Sequence, residues 1–291
     1  MYILLRLAYF IFNRMSFPML RRTGMFLGSL FYILNRKRRK VAEKNCEIIG
    51  VDDIKAVAKS SFKHSFATYI EGFYSHRIDK KFIDSIEIVN PENQPPKDSE
   101  AYFFVSGHIG CWELIPIIAP MVADRTGAII ARRIKNKSVD DFLMKQRTSD
   151  KVIYLHHRNI AEKIPDMLEA KIPVGALLDH SATVRDSIFV PMFGMNTTFI
   201  KGIPMIAVRR DVPVLPSFLI RTEKSFRLIF YPMLYPDKTL KPKDRIYDLA
   251  LRINKIYEEV IRQYPDQWYL IHKRFKKVMD ENGNLNEDFY A

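Results

Sequence analysis

The chain has 291 residues, of which 47% are hydrophobic; this supplies a packed core and excludes a largely disordered protein. Its length fits one large domain, or a core domain with a small appendage. Lysine and arginine number 46 against 33 acidic residues, and the net charge of +13 favours an anionic partner such as a phospholipid, a nucleic acid or an acidic protein.

The first 35 residues are rich in Leu, Phe, Tyr and Met, but four arginines interrupt them: Arg6, Arg14, Arg21 and Arg22. No uncharged run reaches the roughly 18–20 residues of a clean membrane span. A cleavable signal peptide fits poorly, because positive charge is spread through the apolar part. Two interpretations stay open, namely helices that lie on or dip into a bilayer and ordinary core helices.

The five cations "RKRRK" at 36–40 follow directly. Cations beside an apolar helix favour an anionic membrane surface and mark its cytoplasmic side. A solvated helix end and a nucleic-acid patch are the alternatives. We therefore predict a membrane-associated helical segment over residues 1–40 and an α/β domain over residues 41–291.

Apolar residues recur at three- and four-residue steps between 39 and 77, which predicts helices. The polar, proline-rich stretch 90–100 predicts a loop. Four apolar runs then predict strands, each followed by a helical or loop segment: 101–106, 127–132, 152–156 and 173–179. Three more strands are predicted at 187–193, 212–221 and 226–234, the last two as a hairpin, and an amphipathic helix at 246–261. The fold class is α/β, with a mixed, mostly parallel central sheet flanked by helices.

The stretch "SGHIGCWE" at 106–113 follows the first predicted strand. His108 would therefore lie at the carboxyl end of a strand, the edge where open α/β sheets carry their sites. The side chains of His108 and Glu113 meet only if His108 lies in a loop and Glu113 in the first turns of the next helix, since five helical residues turn by about 140°. A carboxylate on one imidazole nitrogen would make His108 a general base; a structural pair is the alternative.

"GHIGCWE" resembles the H-x-x-x-x-E signature of the bacterial lipid A late acyltransferases, the lauroyl and myristoyl transferases of the lysophospholipid acyltransferase superfamily. Other segments resemble that family in the same order along the chain: "RRKVAEKNCEIIG" (38–50), "NKSVDDFLMKQR" (136–147), "PVGALLDHSATVRDSIFVPMFG" (173–194) and "YPDQWYLIHKRFK" (264–276). The chain departs from the pattern at Asp179-His180, where Asp-Gln is common, and at Cys111, where asparagine is expected.

The resemblance implies transfer of a fatty acyl chain from an acyl-carrier-protein thioester, or from acyl-CoA, to a hydroxyl of a lipid A precursor or related glycolipid. It implies no metal and no cofactor, and a place on the cytoplasmic face of the inner membrane. His108 would be the catalytic base and Glu113 its partner. Four further residues would bind the phosphates or other parts of the substrates: Arg132, Arg147, Asp179 and Lys201.

Other functions stay open. An acyltransferase acting on a lysophospholipid, or a lipid hydrolase, would use the same base with another acceptor. A non-catalytic basic module is a different class; the sequence has no helix-turn-helix, RNP or zinc pattern, so no nucleic-acid partner is expected. A cysteine near the histidine raises two alternatives for Cys111. It could form an acyl-cysteine intermediate, or it could be a buried, inert thiol. Two cysteines are too few for a disulfide framework, which indicates a reducing compartment.

Overall fold

The computed structural model describes residues 2–131, 136–141, 149–156 and 160–290. Its amino-terminal part is helical, as the periodicity predicts: α1 (Tyr2–Phe12), α2 (Phe17–Leu34), α3 (Arg36–Ile49) and α4 (Ile54–Glu71). Asn35 caps α3 by accepting from the Arg38 N–H, and Asp53 caps α4 by accepting from the Ala56 N–H. Such caps satisfy amides that have no partner inside the helix.

Helix α2 packs closely on α4 through two glycines. A Cβ at Gly24 would lie 2.4 Å from Ala67 Cα, and one at Gly28 would lie 2.3 Å from the Phe62 carbonyl oxygen. Helices α1 and α2 also expose large apolar side chains, which together we call the N-terminal apolar face: Leu7, Phe10, Ile11, Met19, Phe26, Leu30, Ile33 and Leu34. Within the described part of the chain, no helix has the length and apolar character needed to span a membrane.

A short helix α5 (Lys80–Asp84) leads into the α/β part. Seven strands of the described residues form the central sheet: β1 (Glu87–Val89), β2 (Phe103–Ser106), β3 (Gly127–Ala131), β4 (Val152–His156), β5 (Val174–Leu177), β8 (Val214–Arg221) and β9 (Phe226–Phe230). Their order is β1-β9-β8-β2-β5-β3-β4, and neighbours are parallel except for the antiparallel pair of β8 and β9. The prediction of a mixed, mostly parallel sheet is confirmed.

Helices cover the central sheet: α6 (Ile115–Val122), α7 (Ile160–Glu169), α8 (Gly202–Arg210) and α9 (Pro242–Gln263). One face of α9 is buried in the main core, and its members recur at helical spacing: Leu249, Ala250, Ile253, Tyr257, Val260 and Ile261. The Tyr257 hydroxyl donates to the Ser106 carbonyl at 2.6 Å. This bond fixes the carboxyl end of β2 against α9.

A second, antiparallel sheet differs from the sequence prediction. The predicted strand 187–193 does not join the central sheet but pairs, as β6 (Ser187–Met192), with β7 (Met195–Ile200). The short strands β10 (Val278–Met279) and β11 (Leu285–Asn286) extend this sheet. Strand β7 was not predicted, because the turn at Phe193 and Gly194 lacks the Asn-Gly or Asp-Gly signal typical of a tight hairpin.

Candidate active site

The two strands that carry the site are neighbours in the central sheet. Strands β2 and β5 are parallel, and Ser106 at the end of β2 pairs with Leu177 at the end of β5. His108 and Asp179 each follow their strand's paired end residue by two positions. Parallel strands end at the same sheet edge, so this register brings the two side chains together.

Asp179 holds His108 by two bonds. The His108 backbone N–H donates to Asp179 Oδ2 at 2.8 Å, and His108 Nδ1 lies 2.7 Å from Asp179 Oδ1. Trp268 Nε1 donates to the same Oδ2 at 3.1 Å. The Asp179 side chain is 1% exposed, whereas 15% of the His108 side chain remains accessible. The orienting acid is therefore buried and the ring it orients can be reached.

The charge state of Asp179 fixes the tautomer of His108. Burial alone would raise the pKa of Asp179, but attraction to His108 and the bonds from its ring and backbone lower that pKa well below the usual range. An ionised carboxylate only accepts hydrogen bonds, so the proton of the neutral His108 ring lies on Nδ1. Its Nε2 then has the free lone pair that a general base needs.

Two further histidines stack on His108. The His180 ring lies parallel to it with centroids 3.7 Å apart, and His272 stacks on His180 at 4.1 Å. Burial lowers the pKa of His180 to about 3 and that of His272 to about 4, so both rings are neutral near pH 7. The sequence analysis does not predict His272 or Trp268 as site residues. The one sequence feature that points to them is the segment 264–276, which contains both and resembles the family.

Glu113 lies in the turn that precedes α6, because the helix begins only at Ile115. It lines the same cavity as His108. A Cβ at Gly72 would lie 3.5 Å from Glu113 Cβ, so the side chain packs near the end of α4. The carboxylate bonded to Nδ1 of His108 is that of Asp179, and the expected partnership of Glu113 with His108 stays a prediction.

An apolar cavity of about 550 Å³ adjoins His108. Side chains from β2, β3, β5, α6 and α8 line it, among them Phe104, Ile115, Ile129, Leu177 and Ile203. This volume lies within the range of small-molecule sites, roughly 300–1,000 Å³. The lining is mainly apolar, and His108 and Glu113 are among its few polar members. Such a cavity suits a ligand that has one reactive polar end and a hydrocarbon body.

The remaining predicted substrate-binding residues are Arg132, Arg147 and Lys201. Arg132 and Arg147 lie outside the described residues. Lys201 immediately precedes α8, and its Nζ donates to the Arg185 carbonyl at 2.6 Å; its neighbours Ile200 and Gly202 line the cavity. The structure thus joins His108 and Asp179 directly and puts Glu113 on the same cavity wall.

Cys111 is fully buried, and its thiol donates to Glu71 Oε2 at 3.2 Å. Burial and the nearby Glu71 carboxylate raise the pKa of this thiol well above its ordinary value. A nucleophilic cysteine needs a lowered pKa and access to its substrate. The environment of Cys111 therefore favours an inert thiol over an acyl-cysteine intermediate.

Comparison with known proteins identifies the family of the chain. Residues 2–277 match the family described as bacterial lipid A biosynthesis acyltransferase. The chain is similar to the lipid A biosynthesis lauroyltransferase of Escherichia coli (strain K12), with 21% identity over 273 residues that cover 90% of this chain and 87% of the relative. A solved structure, the 1-acyl-sn-glycerophosphate (LPA) acyltransferase PlsC of Thermotoga maritima, aligns with TM-score 0.41 and 17% identity over 83% of this chain and 98% of that one.

The chain belongs to the bacterial lipid A biosynthesis acyltransferase family. The expected resemblance is thereby confirmed, and membership supports acyltransferase activity on lipid A.

Proposed function

We propose that this enzyme moves a fatty acyl chain from an acyl thioester to a hydroxyl of a lipid A precursor, with His108 as the general base. The observation that carries the proposal is the buried Asp179 carboxylate bonded to His108 beside the apolar cavity. The cavity would take the hydrocarbon chain, and the free nitrogen of the ring would face the reacting groups.

In the proposed reaction, Nε2 of His108 takes the proton of the acceptor hydroxyl as its oxygen attacks the thioester carbonyl carbon. The tetrahedral intermediate collapses, the carbon–sulfur bond breaks, and the departing thiolate takes the proton back from the imidazolium. The Asp179 carboxylate stabilises the imidazolium between these steps. The ester is formed and the base is regenerated without a covalent enzyme intermediate.

The oxyanion of the intermediate needs hydrogen-bond donors. The N–H groups of Gly110 and Cys111 are already engaged, since they donate to the Gln267 and Leu219 carbonyls at 3.0 and 2.8 Å. We place the donors at the amides of Trp112 and Glu113, in the turn before α6. Glu113, as the second carboxylate at this cavity, is proposed to support His108 or the approaching hydroxyl.

The donor and the acceptor both carry phosphates. We assign their recognition to Arg132, Arg147 and Lys201, because guanidinium and ammonium groups are the side chains that bind phosphate. The net charge of +13 favours acyl carrier protein, an acidic donor, over acyl-CoA. Asp179, which the sequence also offers as a substrate contact, is engaged by His108 and Trp268, and these bonds support an orienting role.

The enzyme is proposed to work at the cytoplasmic face of the inner membrane. The N-terminal apolar face and the adjoining cations of α3 would lie against anionic lipid, with the face in the acyl region and the cations at the phosphates. A cleft at the start of α3 supports this placement, because its lining is mainly cationic: Tyr32, Arg36, Arg39, Lys40, Glu43 and Lys55.

The test is acyl transfer by the purified full chain, with acyl-carrier-protein and CoA thioesters as donors and a lipid A precursor or a lysophospholipid as acceptor. We expect transfer to the lipid A precursor, and we expect His108→Ala to lower kcat by about 10²–10⁴-fold. Glu113→Ala should also lower kcat. The matched control is His64→Ala, at a second His–Asp pair where Nε2 lies 3.4 Å from Asp266 Oδ2.

Every other result of this assay indicates a different function. Transfer to the lysophospholipid alone would indicate a phospholipid acyltransferase, and release of free fatty acid would indicate a hydrolase. Lipid binding without turnover of any thioester would favour the non-catalytic basic module. Full activity of His108→Ala would contradict the proposed base.

A further inference from the structure

A buried cluster of charges connects the N-terminal helices to the loop that carries His108. Glu71, the last residue of α4, is fully buried between two arginines. Arg21 of α2 donates from Nε to Glu71 Oε1 at 2.8 Å, and Arg221 at the end of β8 donates from Nε to Glu71 Oε2 at 2.9 Å. We call Arg21, Glu71 and Arg221 the charged brace.

The brace reaches the His108 loop at two adjacent residues, the Gly110 carbonyl and the Cys111 thiol, which donates to Glu71 Oε2. Arg221 Nη1 donates to the Gly110 carbonyl oxygen at 2.9 Å, and the Thr68 hydroxyl of α4 donates to the same oxygen at 2.8 Å. Gly110 follows His108 by two residues and has φ of 62°; a Cβ there would lie 2.0 Å from the Leu219 carbonyl oxygen. The brace therefore holds the backbone of the His108 loop at a point where no other residue type fits.

The other end of the brace lies on the helix that bears the N-terminal apolar face. Arg21 also donates from Nη1 to the Thr222 carbonyl at 3.1 Å and from Nη2 to the Ser225 carbonyl at 3.2 Å. Arg21 thus ties α2 to the turn between β8 and β9 as well as to Glu71. One side of α2 faces outward. The other side is linked, from Arg21 through Glu71 and Arg221, to the loop that carries His108.

Stability alone does not account for the brace. Removing charges from water is costly, and well-packed apolar residues often replace a buried ion cluster without loss of stability. A fully hydrogen-bonded cluster does fix one geometry, because each planar guanidinium holds several acceptors at once. General base catalysis depends on such geometry, since a displacement of about 1 Å can cost a hundredfold in rate.

We infer that Glu71 and Arg221 are positioning residues that hold the His108 loop in its catalytic geometry, and that Arg21 couples the seating of helix α2 to that geometry. The inference rests on the proposed function. The three residues of the brace do not line the cavity or contact the reacting ring; they act through the Gly110 carbonyl and the Cys111 thiol.

The test uses charge-conserving variants of the full chain, Arg221→Lys and Arg21→Lys. A lysine keeps the charge but lacks the planar guanidinium fork, so its one nitrogen cannot hold Glu71 and the carbonyl acceptors in the same geometry. We expect kcat to fall about tenfold to a hundredfold, with KM for both substrates within about threefold. Vesicle binding and the thermal midpoint should stay close to those of the wild type, and the ¹⁵N signals of the His108 ring should shift.

The control is Arg227→Lys on β9, whose arginine pairs with Glu87 at 2.9 Å on the exposed side of the sheet. It should leave kcat and the His108 signals unchanged. If the arginine variants fail to fold, the deciding variant is Thr68→Val, which keeps the side-chain shape but removes one donor to Gly110 and one acceptor of Arg221. We expect a smaller loss of kcat and a shifted His108 ring signal.

Wild-type kcat and His108 signals in a folded Arg221→Lys, or in Thr68→Val, would overturn the inference. So would a loss of activity that tracks only the fraction of unfolded protein. An inactive wild type would instead count against the proposed function, and the ¹⁵N shifts would still report whether the brace positions the ring.

Discussion

At the scale of single residues, the orientation of the His108 ring depends on a carboxylate 71 positions away along the chain. Asp179→Asn keeps the size of this partner and removes its charge, so the imidazolium formed during transfer loses its stabilising anion. We expect kcat to fall by about 10²–10⁴-fold with little change in KM, measured by steady-state acyl transfer.

Asp266→Asn, in the His64 pair, is the matched control and should retain nearly wild-type kcat, because His64 does not line the cavity. If folded Asp179→Asn were as active as this control, the orienting role of Asp179 would be wrong.

The sequence predicts His108 because a histidine after a buried strand lies at the sheet edge that carries sites. It does not predict that Asp179 contacts Nδ1, since this depends on β2 and β5 being neighbours. Between them the chain makes β3 and β4, which lie beyond β5 in the sheet. The alternation of strands and helices does not reveal this strand order, so the sequence offers Glu113, which is close along the chain, and does not identify Asp179 as a partner of the ring.

At the scale of elements, the helices between residues 39 and 77, helix α9 and most strands of the central sheet follow from apolar periodicity, because their burial is continuous over many residues. Several other elements escape it, and for three of them the physical reason is clear. Strand β1 has three residues, too few for a pattern, and β7 follows a turn without a recognisable signal. Helix α6 begins two residues after Glu113, since Cys111 to Leu114 form turns fixed by tertiary bonds.

The contact of α2 with α4 gives an element-scale prediction. Gly28→Ala places a methyl group 2.3 Å from the position of the Phe62 carbonyl oxygen, so the helices must separate. We expect a loss of about 1–3 kcal/mol in the free energy of unfolding, measured by chemical denaturation. Gly202→Ala in α8 is the control, because nothing lies within 4 Å of its new methyl group.

The control should be neutral or stabilise the protein by up to about 1 kcal/mol, since alanine favours helix over glycine. Equal stabilities of the two variants would show that α2 does not need its close approach to α4.

At the scale of the whole molecule, the N-terminal apolar face and the net charge of +13 predict binding to anionic vesicles. Phe26 and Ile33 are 68% and 64% exposed, and burying each in lipid contributes about 1.5–3 kcal/mol. The double variant Phe26→Asp, Ile33→Asp should therefore bind vesicles at least tenfold more weakly in a sedimentation assay.

Tyr235→Asp is the control for this experiment, because Tyr235 is 63% exposed but lies outside the N-terminal helices. It should bind like the wild type, and added salt should weaken the binding of both proteins. Unchanged binding of the double variant would contradict the proposed docking face.

The stacked histidines make the stability of the whole molecule depend on pH. Burial lowers the pKa of His180 and His272 from 6.5 to about 3 and about 4, and Arg274, fully buried nearby, opposes their protonation as well. The unfolded chain takes up these two protons as the pH falls below 6.5, whereas the folded chain does not. Because the unfolded state then binds more protons, acid favours unfolding in this window.

We expect the free energy of unfolding to rise with pH between about 4 and 6.5, by up to about 1.4 kcal/mol per pH unit for each of the two histidines. Further into acid, below about pH 4, protonation of Asp179 removes more stability, because its pKa is also lowered in the folded state. Denaturation curves at several pH values measure this slope. In His272→Gln the slope should fall by the contribution of one histidine, up to about 1.4 kcal/mol per pH unit. A flat profile, or a slope unaltered in His272→Gln, would mean that the buried rings take up protons in the folded protein as readily as in the unfolded chain.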